Sequence, residues 1–234
     1  KVIITGALGH IGSYLIRDLS QSLEIDEIII IDNFLTQRYC SLYDLPTQGC
    51  PIKFLNLDVS KDSFPANLLA KNDIVIHLAA ITDATSSFDK PEAIWQNNLE
   101  GTRRVTDQVG EVGARLIFPS STSVYGVQNQ LVDENCALDA LKPQSPYAEC
   151  KLKEEEVVSR LIRQGSQSFI CRLGTIYGTS SGMRFHTAVN KFCFQAALGL
   201  PITVWRTALH QHRPYLGLDD CCRAMRHMLT SQPN

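Results

Sequence analysis

The chain has 234 residues, 44% of them apolar and 20% charged, with a formal net charge of −2. Such a chain can bury a large core, but its charge offers no bulk attraction to nucleic acid, and its longest apolar runs, 28–31 and 74–81, are too short to span a membrane. It opens on no basic segment followed by an apolar run and a small-residue cleavage site, so it is expected in the cytoplasm, with its eight cysteines, which lack C-x-x-C or zinc spacing, as free thiols.

Residues 2–4 (Val-Ile-Ile) predict a short buried strand, followed at once by Thr5-Gly6-Ala7-Leu8-Gly9-His10-Ile11-Gly12 and a helix over 13–20. Strand, glycine turn and helix together make a phosphate cradle. Glycines let the backbone approach a pyrophosphate, and the helix start offers unpaired N–H groups at the positive end of its dipole. A second strand over 27–31 ends in Asp32-Asn33. A carboxylate about 20 residues past the glycines suits a ribose 2′-hydroxyl and repels a 2′-phosphate. The nearest following arginine is Arg38, which favours NAD over NADP.

Strands are predicted at 53–57, closed by Asp58-Val59, and at 73–78, running from Leu78 into Ala79-Ala80. His77 reads as a core histidine, and the small Ala79 and Ala80 leave room for a flat ligand near the backbone. Residues 91–112 predict one long helix with Asn97-Asn98-Leu99-Glu100-Gly101-Thr102 in its middle. Glycine and paired asparagines disfavour a helix interior, so they hint at close packing or a polar role. A fifth strand, 115–119, ends in Ser120-Ser121-Thr122-Ser123, four hydroxyls at the edge where open α/β sheets bind ligands.

Ser145-Pro146-Tyr147-Ala148-Glu149-Cys150-Lys151 then starts a helix over 146–165, because proline suits the first helical position. Tyr147 and Lys151 stand four apart, on one face. A cation beside a phenol lowers its pKa and makes the tyrosine a usable acid/base. Lys151 apart, the charge run 151–156 reads as a solvated face. A sixth strand covers 168–173, a loop 174–182, a helix 183–198 and a short strand 202–205. A last helix runs to about 229. Arg184 and Lys191 either clamp a diphosphate or lie on a solvated helix. His210 and His212 lack a third ligand, so no metal is expected. Alternating strands and helices give an α/β, doubly wound parallel sheet.

Taken together, the glycine turn, Asp32, Asp58, Asn98, Ser121 and Tyr147-x-x-x-Lys151 resemble the extended short-chain dehydrogenase/reductase family, in particular its nucleotide-sugar epimerases and dehydratases. The resemblance implies a Rossmann domain over 1–178 with 213–229 packing back on it. It also implies a substrate-binding segment over 179–212, in a small, incomplete C-terminal lobe. By the same resemblance NAD lies against Gly6, Gly9, His10, Ile11 and Gly12, with Asp32 and Asn33 at the adenosine ribose and Asp58 and Val59 at the adenine. Leu78, Ala79, Ala80 and Asn98 complete the cofactor surroundings, Asn98 by supporting the helix and sheet around the site. Ser121 orients substrate, Tyr147 is the acid/base, and Lys151 tunes it and holds the nicotinamide ribose. Ser121, Thr122, Ser123, Thr175, Lys191 and Arg213 face a nucleotide-diphosphate-sugar substrate, with Asp220 completing the motif that contains Arg213.

Dehydratase relatives carry Thr-Asp-Glu at the serine-rich turn, decarboxylase relatives a Glu just before Val-Tyr-Gly, and some other epimerases a Cys at position 123. Here stand Ser121, Thr122 and Ser123. Hydride machinery without those extra groups implies a 4-epimerase; a 4-dehydrogenase or ketoreductase, or a non-catalytic NAD-binding protein, is the alternative. Thr175 replaces the family's usual Asn, which leaves the substrate open. The helices 91–112 and 146–165 imply a homodimer like that of many relatives.

Overall fold

A computed structural model of the chain describes residues 1–82, 88–89, 91–128, 131–206, 209–210 and 212–233. A six-stranded parallel sheet forms its centre, in the order β3-β2-β1-β4-β5-β6. The strands are β1 (Val2–Thr5), β2 (Ile28–Asp32), β3 (Ile52–Asn56), β4 (Ile74–His77), β5 (Arg115–Ser121) and β6 (Phe169–Leu173). In-register pairs such as Ile3 with Ile29 and with Val75 hold the middle.

Strand side chains alternate between faces, and the core divides accordingly. On one face Val2, Ile4, Ile28, Ile30, Ile76 and Ile117 pack against α1 (His10–Leu19) and a C-terminal helix, 218–230. On the other, Ile3, Ile29, Ile31, Val75, Leu116 and Phe118 meet Val105, Val109, Val158 and Leu161 from two further helices.

The predicted helix 91–112 is helical throughout but changes pitch. It runs as α2 (Pro91–Ile94), a π-helical turn at Trp95–Leu99, and α3 (Glu100–Val112), ending on left-handed Gly113 at φ +70°. A left-handed residue there is the common way to stop a helix. Next comes α4 (Pro146–Arg163), whose start is capped by the Ser145 hydroxyl accepting from the Ala148 N–H at 3.2 Å, with Pro146 in the first turn.

Four expectations are corrected. α1 begins at His10, three residues earlier than predicted, because Gly9 in extended conformation serves as its N-cap. The expected loop 174–182 contains β7 (Thr175–Tyr177), which pairs in parallel with β8 (Tyr215–Gly217) in a separate two-stranded sheet. The helix expected over 183–198 is only α5 (Ala188–Ala197). The strand expected over 202–205 does not form; these residues are exposed and have no partner strand among the described residues. α6 (Leu218–Thr230) follows β8, and the Arg115 guanidinium ties down its end by donating to the carbonyls of Met228 at 3.0 Å and Leu229 at 3.1 Å. Of the expected substrate-binding segment 179–212, residues 207, 208 and 211 lie outside the described residues.

Candidate active site

Strand order reverses between β1 and β4, and open α/β sheets bind ligands outside the carboxyl ends of their strands at such a point. A crevice lies there. Its narrower end is lined by Gly6, Gly9, Asp32, Asn33, Arg38, Asp58, Val59, Leu78, Ala79 and Ala80. Its wider part, about 980 Å³, shares Gly6, Gly9, Leu78, Ala80 and Arg184 with the first. That wider part adds His10, Ile11 and Gly12 on one wall, Ser121, Thr122, Ser123, Tyr147 and Lys151 on the other, and Thr175 and Arg213 at the rim.

The glycine turn is packed so closely that side chains are excluded. A Cβ on Gly6, itself at φ +63°, would fall 2.5 Å from the Ala79 nitrogen, and one on Gly12 would fall 2.4 Å from the Ala7 oxygen. No side chain caps the start of α1, whose first N–H groups have no partner within the helix, and His10, Ile11 and Gly12 of that turn line the crevice. Asp32 is held in place from both sides. It accepts from the Leu8 N–H at 3.1 Å and from the Phe34 N–H at 3.0 Å. A turn that only glycine fits, open helix N–H groups and a positioned carboxylate fit NAD, whose pyrophosphate and ribose need those partners. Asp58 accepts from the Ser60 hydroxyl and N–H and pairs with Lys61 at 3.3 Å; burial pushes its carboxyl up, but its hydrogen bonds outweigh that and hold it below the usual carboxylate range.

Loop 178–182 straps the glycine turn to the substrate side. His10 Nε2 lies 2.9 Å from the Gly178 oxygen, the Ser180 hydroxyl donates to the His10 carbonyl at 2.8 Å, and the Gly182 N–H donates to the Ser13 hydroxyl at 2.9 Å. Burial pushes the His10 imidazole below its usual range, outweighing the Gly178 contact. A neutral ring thus donates to that carbonyl.

Tyr147 and Lys151 share one wall, as their spacing predicts, but the expected lowering of the phenol pKa is reversed. Desolvation at the crevice floor pushes Tyr147 above its usual value. Lys151, Arg184 and a Ser121 hydrogen bond pull the other way, while Glu154 adds to the rise. The solvated-face reading of 151–156 is corrected with it: Glu154 and Glu155 are both buried. Glu154 sits 3.2 Å from the Lys151 ammonium, and Glu155 sits 2.8 Å from Arg172 and accepts from the Ser120 hydroxyl. Ser121 itself accepts from the Ser123 N–H at 3.1 Å and from the Ser123 hydroxyl at 2.9 Å.

Asn98 is fully buried behind the crevice, where its amide accepts from the Ile81 N–H at 2.8 Å and donates to the Ile81 carbonyl at 2.9 Å, so it ties the helix to the end of the strand as expected and does not itself line the crevice. Asn97 lines the crevice instead. Lys191 lies on the exposed side of α5, away from the lining, and Asp220 is exposed and paired with Arg223 at 3.0 Å. Arg38 joins the ribose end, its guanidinium reaching to within 3.9 Å of where a Cβ on Gly9 would lie. Nothing in its spacing from Asp32 announced that.

The profile of the NAD dependent epimerase/dehydratase family matches residues 2–234. The chain belongs to that family. Membership places it among the extended short-chain dehydrogenases/reductases, in a family named for its dependence on NAD. A dTDP-D-glucose 4,6-dehydratase of Dictyostelium discoideum is 29% identical over 76% of this chain, which spans only 44% of that relative. An uncharacterized UDP-glucose epimerase of Bacillus subtilis, YtcB, is 30% identical over 96% of this chain and 71% of its own length. The structure of UDP-glucuronic acid 4-epimerase from Bacillus cereus, in complex with UDP-glucuronic acid and NAD, superposes with a TM-score of 0.85. It is 26% identical, and the match covers all of this chain and 74% of that one.

Proposed function

We propose that the protein epimerises a nucleotide-diphosphate sugar at C4 through a transient 4-keto sugar, with Tyr147 as acid/base. One observation carries the choice of reaction. The described residues lining the wide part of the crevice include Lys151, Arg184 and Arg213 but not one Asp or Glu. Cations there suit a diphosphate, and elimination of water or loss of carbon dioxide lacks the extra carboxylic acid/base that dehydratase and decarboxylase relatives place beside the tyrosine.

NAD, when bound, supplies a hydride acceptor that can return the hydride. The chain's own groups do the rest. Gly6, Gly9 and Gly12 seat the pyrophosphate, Asp32 the adenosine ribose, and Asp58 and Val59 border the adenine. Ser121 and Tyr147 hold the sugar hydroxyl, and Tyr147, ionised beside Lys151, takes its proton as the hydride leaves during oxidation and returns it during reduction. Lys151 holds the ribose and stabilises the phenolate. Thr122, Ser123 and Thr175 line the sugar's surroundings, and Arg213 faces the diphosphate. Segment 179–212 carries the substrate contacts, and the whole works as a cytoplasmic homodimer, which sedimentation velocity tests.

Incubation with NAD and a panel of UDP- and dTDP-sugars tests the reaction. An inverted C4 without net NADH is expected. A keto sugar with stoichiometric NADH would assign a 4-dehydrogenase instead, and NAD binding without any turnover would leave a non-catalytic binder.

A further inference from the structure

Lys151 enters the crevice wall already paired. Its ammonium lies 3.3 Å and 3.2 Å from the two carboxylate oxygens of Glu154, one turn further along α4, and Glu154 has no exposed surface. The Phe118 ring stands beneath the same ammonium, 4.6 Å away.

Glu154 is itself anchored by a chain of hydrogen bonds that crosses the molecule below the crevice. The Thr102 hydroxyl on α3 donates to Glu154 Oε1 at 2.6 Å. With that hydrogen used, Thr102 Oγ1 can only accept from His77 Nε2, 3.2 Å away. His77 Nδ1 is then an acceptor for the Thr5 hydroxyl at 2.7 Å, and Thr5 Oγ1 accepts from the Ala79 N–H at 3.3 Å. Each bond from Ala79 to Glu154 has one donor and one acceptor when His77 is neutral and Glu154 is ionised. A buried ion pair so fully bonded has a fixed place.

We infer that Glu154 is a positioning residue that fixes the Lys151 ammonium against the crevice wall and sets the pH at which Tyr147 gives up its proton. Glu154 stands seven positions after Tyr147, which returns to nearly the same helix face at a rise of about 10 Å. A unit charge at that distance, at an effective dielectric near 20, displaces a titration by about one pH unit. The other groups facing the phenol are Lys151 on its own helix, Arg184 from the segment before α5, and the Ser121 hydroxyl at the end of β5. Facing Lys151 are also Cys150 on α4 and His77 on β4. Glu155 is neutralised by Arg172. Glu154 is the carboxylate whose charge is turned toward Lys151, and it opposes the effect of that cation on the phenol.

The consequence for turnover rests on the reading of Tyr147 as acid/base given above; the titration itself does not. The full chain, carrying whatever nucleotide it retains, is titrated from pH 8 to 12 by tyrosinate absorbance, with the matching Tyr147→Phe protein subtracted in each background. In Glu154→Gln the Tyr147 signal is expected at about tenfold lower hydroxide concentration than in the unaltered protein. Glu154→Asp keeps the charge and is expected to restore the original midpoint. Coincident midpoints in the unaltered and Glu154→Gln proteins, or no Tyr147 signal in either, would overturn the inference. If Glu154→Gln does not fold, Glu154→Met is read the same way. If neither folds, Glu154 serves folding alone and the inference is likewise overturned. A displaced titration without turnover of any sugar keeps the role of Glu154 and rejects the proposed function. Turnover with an undisplaced titration does the reverse.

Discussion

Gly12 and Tyr147 each show what one atom decides. A methyl group on Gly12 would be driven into the Ala7 carbonyl, 2.4 Å away, and backbone on both sides leaves nothing flexible to yield. Gly12→Ala is therefore expected to spread the turn, lower stability by about 1–3 kcal/mol and weaken NAD binding at least tenfold. Urea unfolding and calorimetric titration measure the two, and unchanged NAD affinity would show that the turn does not seat the pyrophosphate. Tyr147→Phe removes an oxygen at the crevice wall and leaves the ring, so NAD should bind nearly as before. Turnover of any sugar the protein converts should fall by about 10² to 10⁴. A fully active phenylalanine variant removes Tyr147 from the mechanism. Both residues were legible in the sequence because their roles are local: a glycine spacing beside a strand, and a four-residue interval on a helix. Glu154 was not. Its burial is decided by Thr102, fifty-two positions earlier, and a Lys-Leu-Lys-Glu-Glu-Glu run has the composition of a wet surface.

Among the elements, the π-helical turn at Trp95–Leu99 accounts for the asparagine pair that looks unfavourable inside a helix, while Gly101 in the first turn of α3 sits where a Cβ would come within 3.3 Å of the Val59 side chain. A single wide turn re-aims the side chains that follow, and Asn98 swings inward to meet both backbone groups of Ile81. That strand extension is thereby held at the crevice floor. Asn98→Leu should leave one buried N–H and one buried carbonyl without partners, at about 1–3 kcal/mol each. Thermal unfolding is expected to shift down by several degrees, and hydrogen exchange at the Ile81 amide should accelerate. Unchanged exchange at Ile81 would show that the clasp holds nothing. Sequence periodicity resolves a 3.6-residue repeat over thirteen residues but not one inserted residue within it. β7 and β8 escaped for a related reason: each has three residues, and each is a strand only because the other lies beside it, forty positions away. Residues 202–205 show the converse. Ile-Thr-Val-Trp has the side chains of a strand and stays exposed, with no strand beside it among the described residues.

For the whole molecule, the point where strand order reverses is also where its interior is most polar. Thr5 of β1 pairs in register with His77 of β4, and their side chains join the two halves of the sheet directly beneath the crevice. Burial, reinforced by the nearby Lys151 charge, pushes His77 down to about 3 from 6.5. Unfolded, the ring takes a proton near 6.5; folded, it does not until about pH 3. The unfolded chain therefore binds the extra proton throughout that window. Stability from the neutral ring is complete above pH 6.5 and is lost as pH falls toward 3, at about 1.4 kcal/mol per pH unit. Between pH 7 and pH 5 this one group should remove about 2 kcal/mol. His77→Gln does not titrate, and its amide can still bond Thr5 and Thr102. It should be less stable than the unaltered protein at pH 7, with the gap closing by about 2 kcal/mol at pH 5. Urea unfolding at the two pH values reads the difference directly. Parallel losses in the two proteins would mean that His77 is charged when folded. The ordered chain of bonds from Ala79 to Lys151, and with it the fixed place of the ammonium in the crevice wall, would then not exist.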